Sequence, residues 1–149
     1  MGSPAEFSRL LKKISVPDLI TTALEDTKDS ILVLQKDQLK HGLDSSGNAI
    51  LPEYASDSYA KRKNQLNSIP QLGTPDLTLS GDRNDAMTVT VDGVEKIVLN
   101  SSVEYNQYNE ERYGANHLWG LTPDNRAKYV VENLRPAMKT ALTDQTGIT

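Results

Sequence analysis

Acidic side chains that could share a proton lie close together at two places: Asp82 with Asp85, and Glu110 with Glu111. Two carboxyl groups divide acid and base roles when their environments push their pKa values apart. A small hydrolase using carboxylates such as Asp82 and Glu111 is therefore one chemistry to weigh. The neighbouring residues are strongly polar, so nothing in the sequence would raise either pKa, and solvated surface charge is the favoured reading. The two histidines, His41 and His117, are far apart and lack metal-ligand spacing; a helix-end His41 and a loop His117 are expected. Asp44-Ser-Ser-Gly-Asn48 has a passing likeness to a calcium loop. It lacks the alternating acids and the distal bidentate Glu, and reads as an ordinary turn. Ser80 before Gly81 has no flanking nucleophile-elbow pattern, and no phosphate-cradling glycine loop is present.

Lys61-Arg-Lys63 is the one dense basic cluster, with Tyr54 and Tyr59 just upstream. Basic residues beside aromatics can grip a nucleic-acid strand. The chain as a whole opposes that reading, with 20 acidic against 16 basic residues and a formal charge of -4. A dedicated nucleic-acid binder normally shows a basic face. Trp119, the single Trp, lies in His117-Leu-Trp-Gly-Leu121. It reads equally as an exposed interface anchor or as a staple joining a helix start to the core.

These residues need a scaffold, and 149 residues suffice for one domain. The absence of cysteine excludes disulfides, thiol catalysis and thiolate metal sites. No apolar run is long enough to span a bilayer, and the first residues lack the apolar centre of a signal peptide. No cofactor or metal is expected.

Ser3-Pro-Ala-Glu6 is a capping box opening a short helix with Phe7, Leu10, Leu11 and Ile14 on one stripe. Ser15 and Pro17 begin a second, long helix, whose stripe is Ile20, Leu24, Thr27, Ile31 and Leu34 and whose stop is Gly42. Residues 42–76 read as a long loop region with one or two helical turns near 56–65. Met87 to Asp92 alternates as a strand, and Asp92-Gly93 signals a two-residue hairpin turn, giving a hairpin over about 86–100. A short helix ends at Gly114. Thr122-Pro-Asp opens a last helix over 122–143 with Ala127, Val131, Leu134, Met138 and Ala141 inward, kinked or split near Arg135 by Pro136. The expected fold class is α+β: one domain over 1–149, with a small antiparallel sheet packed by the long N-terminal helix and the C-terminal helix. Its parts are helices over 1–41, the loop region, hairpin and short helix over 77–121, and the last helix.

Three islands carry a family likeness: Gly42-Leu-Asp-Ser-Ser-Gly-Asn-Ala-Ile50 with Tyr54 and Tyr59-Ala-Lys-Arg-Lys63; Pro75-Asp-Leu-Thr-Leu-Ser-Gly-Asp82; and Arg112-Tyr-Gly114 with Leu118-Trp-Gly-Leu-Thr-Pro123. In order and spacing they resemble the head–tail connector and tail-completion proteins of tailed bacteriophages. The chain departs from that pattern once, at Arg83, where an aromatic or apolar residue is expected. The resemblance implies a non-enzymatic virion component, assembled in the bacterial host cytoplasm and working as a ring of identical subunits. Its partners would be other virion proteins: the portal or adaptor, the tail tube or the tail terminator. Leu77, Leu79, Tyr113, Leu118, Trp119 and Leu121 are the expected interaction residues.

Overall fold

The computed structural model describes residues 3–78 and 81–147; Leu79 and Ser80 of the sequence reading lie outside them. Helix α1 (Pro4–Leu11) opens with the expected capping box. Ser3 N donates to Glu6 Oε2 at 2.7 Å, and Glu6 N donates to Ser3 Oγ at 3.3 Å. Helix α2 (Val16–Lys40) follows, capped by Ser15 and carrying Pro17 in its first turn, where a missing N–H costs nothing. Beyond it Gly42 turns the chain at φ +70°. A Cβ there would meet Thr74 Cγ2 at 2.9 Å and the Pro75 carbonyl at 3.1 Å, so glycine is required both for its conformation and for that approach.

The loop region carries one regular element, α3 (Asp57–Leu66), capped by Ser56. A single helical turn, α4 (Asp82–Asp85), leads into strands β1 (Met87–Asp92) and β2 (Lys96–Ser101). Then come α5 (Asn106–Tyr113), the one-turn α6 (Ala115–Leu118), α7 (Pro123–Tyr129) and α8 (Arg135–Thr146). Thr122 caps α7 by accepting from Asn125 N. His117 thus sits in a helical turn, where the sequence suggested a loop.

The hairpin corrects the expected turn. β1 and β2 pair from Met87↔Ser101 to Asp92↔Lys96, leaving Gly93, Val94 and Glu95 as a three-residue loop. This register places Met87, Val89, Val91, Ile97 and Leu99 on one face. A two-residue turn at Asp92-Gly93 would bring Lys96 and Asn100 to that face instead, because side chains alternate along a strand. Burial of the apolar face therefore selects the longer loop.

The last helix is also corrected. Between α7 and α8 the chain makes a π-helical turn, Val130–Leu134, and Pro136 falls in the first turn of α8. The helix is thus divided at Arg135, where Pro136 was expected to kink or split it, and the division takes the form of a π-helical turn. The extra residue rotates the stripe. Tyr129 is buried and Leu134, five positions on, is half-buried, whereas Ala127 and Val131 point outward.

The core runs along α2 in two clusters. Toward its C-terminal end Leu39 meets Ile50, Met87, Tyr113 and Leu118, joined by Leu77 and Trp119. Further back, Leu24 and Ile31 meet Leu121 and Tyr129, joined by Val89, Val91 and Leu99 from the hairpin. The fold is thus α+β: a two-stranded antiparallel sheet covered by the long N-terminal helix and the C-terminal helical segment.

Candidate functional site

The three islands converge at the C-terminal end of α2. The first closes on itself. Asp44 Oδ1 accepts from Ser46 N at 2.8 Å and Asn48 N at 2.9 Å, and Ile50 N donates to the Gly42 carbonyl. That carboxylate is occupied by its own turn, which is the role Asp plays in such turns. Ser45 then reaches the third island, its N donating to the His117 carbonyl at 2.8 Å and its Oγ to the Asn116 carbonyl at 2.9 Å.

Two buried glutamines on α2 hold the third island. Gln35 Nε2 donates to the Leu118 carbonyl at 2.9 Å, and Gln35 Oε1 accepts from Gly120 N at 3.0 Å. Gln38 Nε2 donates to the carbonyls of Gly120 at 2.9 Å and Asp44 at 3.1 Å, while its Oε1 accepts from Thr122 N at 2.8 Å. Sequence reading missed both residues. The signal was their spacing: positions 31, 35 and 38 continue the inward stripe of α2, so polar groups there had to find partners inside.

The second island is fixed by a buried ion pair. Lys63 Nζ lies 2.6 Å from Asp76 Oδ1 with both side chains almost wholly covered. Asp76 also accepts from Asn67 Nδ2 at 2.9 Å, Tyr54 OH at 3.2 Å and Thr78 N at 3.0 Å, and Asn67 Nδ2 reaches the Lys40 carbonyl. The segment is thereby tied to α3 and to the end of α2. Leu77 adopts φ +55°, a conformation that costs a branched side chain on the order of 1–2 kcal/mol. Of the basic cluster only Lys61 and Arg62 face solvent; Lys63 is consumed by Asp76.

These ties shape a groove of about 440 Å³ between α3 and α5. Tyr54, Tyr59, Tyr105, Tyr108 and Tyr113 line it, five of the six tyrosines in the chain. Tyr54 and Tyr59 meet edge to face, with ring centres 5.0 Å apart. Arg112 stands at the groove with its guanidinium 5.5 Å from the Tyr113 ring centre and donates to the Glu53 carbonyl. Burial raises the hydroxyl pKa of Tyr54 well above its usual value and raises that of Tyr59 as well. Tyr54 and Tyr59 therefore present uncharged rings to the groove at neutral pH.

Behind α5, Arg83 is buried to 1% exposure. Its Nε donates to Asn106 Oδ1 at 3.1 Å and its guanidinium stacks 4.6 Å from the centre of the Trp119 ring. Both terminal nitrogens are buried without a hydrogen-bond partner. Burial pulls its pKa down to about 10, with Glu110 opposing. Glu110 accepts from Trp119 Nε1 at 2.6 Å and from Asn106 Nδ2 at 2.8 Å. Position 83 is thus an interior site occupied by a cation.

The expected interaction residues separate. Leu118 and Leu121 belong to the core clusters, and Trp119 is half-buried, packed inward on Arg83 and Glu110. Tyr113 and Leu77 line the groove. The carboxylates considered for catalysis are dispersed: Asp82 and Asp85 are exposed on α4, Glu111 is exposed and bonded to Gln107, and Glu110 is engaged with Trp119. His41 bonds the Asp37 carbonyl at the end of α2, while His117 stands 3.9 Å from Asp44. Among the described residues no three His, Asp or Glu side chains gather as a metal site, and no helix is long and apolar enough to cross a membrane. No protein-family model, no curated protein and no solved structure matches this chain.

Proposed function

We propose that this chain is a non-enzymatic structural component of a tailed-phage virion, a head–tail joining or tail-completion subunit that works in a ring. The observation that carries the reading is how much apolar surface the monomer leaves outside. Val33 on α2, Leu51, Leu66, Ile69 and Leu72 in the 42–76 region and Val131 in the π-helical turn are each more than half exposed. Isolated exposed apolar residues are ordinary, but groups of them mark docking surfaces. Leu66, Ile69 and Leu72 lie within one short segment of the chain, and a ring subunit needs two different faces that meet head to tail. The order and spacing of the three islands supply the phage assignment, and their convergence gives those motifs a common physical purpose: each one helps to build the same end of the molecule. In this reading the neighbours are copies of the chain, a portal or adaptor, and a tail tube or terminator.

Mass spectrometry and cryo-electron microscopy of the purified particle test the proposal. The expected result is the chain at fixed copy number in a ring at the neck or tail end. Particles that are complete and infectious without it would refute the assignment.

A further inference from the structure

The hairpin leaves both of its outer edges open. Ser102 N donates to the Ala86 carbonyl at 3.3 Å, which makes the two a hydrogen-bonded pair in the register of Met87↔Ser101. Hydrogen-bonded and non-hydrogen-bonded pairs alternate along an antiparallel ladder. Thr88, Thr90 and Asp92 therefore bond Asn100, Val98 and Lys96, while the N–H and C=O groups of Val89, Val91, Ile97 and Leu99 point away from the hairpin. None of those outward groups has a hydrogen bond among the described residues. Buried backbone groups without partners are rare, so these edges meet water or another chain. Natural sheets blunt an open edge with proline, a bulge or charge. Here β1 and β2 contain neither proline nor bulge, and their only charges, Asp92 and Lys96, stand opposite each other at the loop end.

The two edges fit each other. Laid antiparallel against the outside of β2, the β1 of another copy finds the register already used within the hairpin. Val89 faces Leu99 and Val91 faces Ile97, each pair exchanging both its main-chain bonds, and Asp92 again faces Lys96 with opposite charge. Ser101 N is taken by Asn100 Oδ1, so the pairing ends there. Shape favours closure. Helices cover the face that carries Val89, Val91 and Leu99, whereas Thr88, Thr90, Val98 and Asn100 on the other face are exposed. Two strands are about 10 Å wide. The helix α2 and the C-terminal helical segment, packed together over them, need about 20 Å. Copies joined through their strands must curl toward the bare face, and a curl repeated in one direction at every joint leads back to the first copy.

We propose that the outer edge of β2 takes the outer edge of β1 from a second copy of this chain, so that the hairpins of successive copies form one continuous antiparallel sheet. Main-chain bonds hold the added strand, and the paired side chains set its register. The two edges differ, so the contact is head-to-tail. The inference rests on the ring reading above and names the contact that builds the ring.

The chain has no cysteine, so single thiols report on the contact alone. In the proposed pairing Thr90 and Val98 of neighbouring copies form a non-hydrogen-bonded pair on the exposed face, where side chains come closest. Full chains carrying Thr90→Cys and Val98→Cys, mixed and mildly oxidised, should cross-link into dimers holding one of each, in excess over random pairing. Neither chain alone should dimerise efficiently. Ile97→Pro removes an N–H that the hairpin itself does not use. It should abolish association in sedimentation while circular dichroism stays unchanged. Absence of mixed dimers at the highest soluble concentration overturns the contact, and this readout stands even if Ile97→Pro disturbs the fold. So does efficient dimerisation of the Val98→Cys chain alone, which would show β2 paired with β2. A folded Ile97→Pro chain that associates like the parent also overturns it. If the protein forms neck rings and the Ile97→Pro chain still joins them, this contact fails and the ring reading stands. If mixed dimers form but virions lack the protein, the ring reading fails and the contact stands.

Discussion

Lys63 and Asp76 face each other at 2.6 Å with almost no solvent on either side chain, and between them they join α3 to the segment around Asp76 and Thr78. Such a pair is weak evidence for stability, since both charges had to leave water. Removing one member strands the other and costs about 3–5 kcal/mol. We expect Asp76→Ala to be the worse substitution, because it also takes an acceptor from Tyr54, Asn67 and Thr78 N. Urea denaturation measures the loss. A change below about 1 kcal/mol would mean that water already reaches the pair.

Alkaline stability should report on the groove. Burial holds the Tyr54 hydroxyl protonated beyond its ordinary pKa of 10.0. Below about pH 10 folded and unfolded chains are both protonated there. Above it the unfolded chain ionises first, so stability falls as pH rises. Tyr59 and Tyr129 shift in the same direction. Arg83, with its pKa lowered, works oppositely from about pH 10 upward. Tyr54→Phe should therefore flatten the decline, without abolishing it, in thermal melts recorded between pH 9 and 11. An unchanged slope would show Tyr54 to be solvated.

Arg83→Met should stabilise the protein. It replaces a buried cation having two unpartnered nitrogens with an apolar chain of similar reach. Exchanges of this kind commonly gain about 1–4 kcal/mol. Part of the gain is offset by the lost stacking on Trp119 and the lost bond to Asn106. A lower melting temperature would show that those two contacts outweigh the burial of charge.

Gln38→Leu keeps the volume of the side chain but strips partners from Thr122 N and from the carbonyls of Gly120 and Asp44. Each buried group left unsatisfied costs about 1–3 kcal/mol. The amide of Thr122 should lose protection from hydrogen exchange before the amides of mid-α2 do. Uniform loss along the chain would indicate that the third island unfolds only with the whole molecule.

Caps, periodicity and class were legible because each rests on a few neighbouring residues. Ser3 with Glu6, Ser15 with Pro17, and Thr122 with Pro123 all open helices as their chemistry requires. The hairpin loop was misjudged because Asp92-Gly93 is a strong local signal, yet register is set by which face of β2 is buried. The stripe of the last helix was misread because a π-turn shifts the phase by one residue, and only packing around Pro136 selects it. At the candidate site, nothing local to Asp82-Arg83-Asn84 signals that the Arg83 side chain is buried. The groove itself was illegible. Tyr54 and Tyr59 are separated from Tyr105 by about a third of the chain, and nothing local to either segment says that they share a wall.

Gln35 and Gln38 touch residues 118–122 through carbonyl and amide atoms that nearly every amino acid carries. The strap is blind to what side chains that strip displays. What fixes the side chains there is separate: Leu118 and Leu121 answer to the core and Trp119 to Arg83 and Glu110, while the rod beneath grips only the backbone.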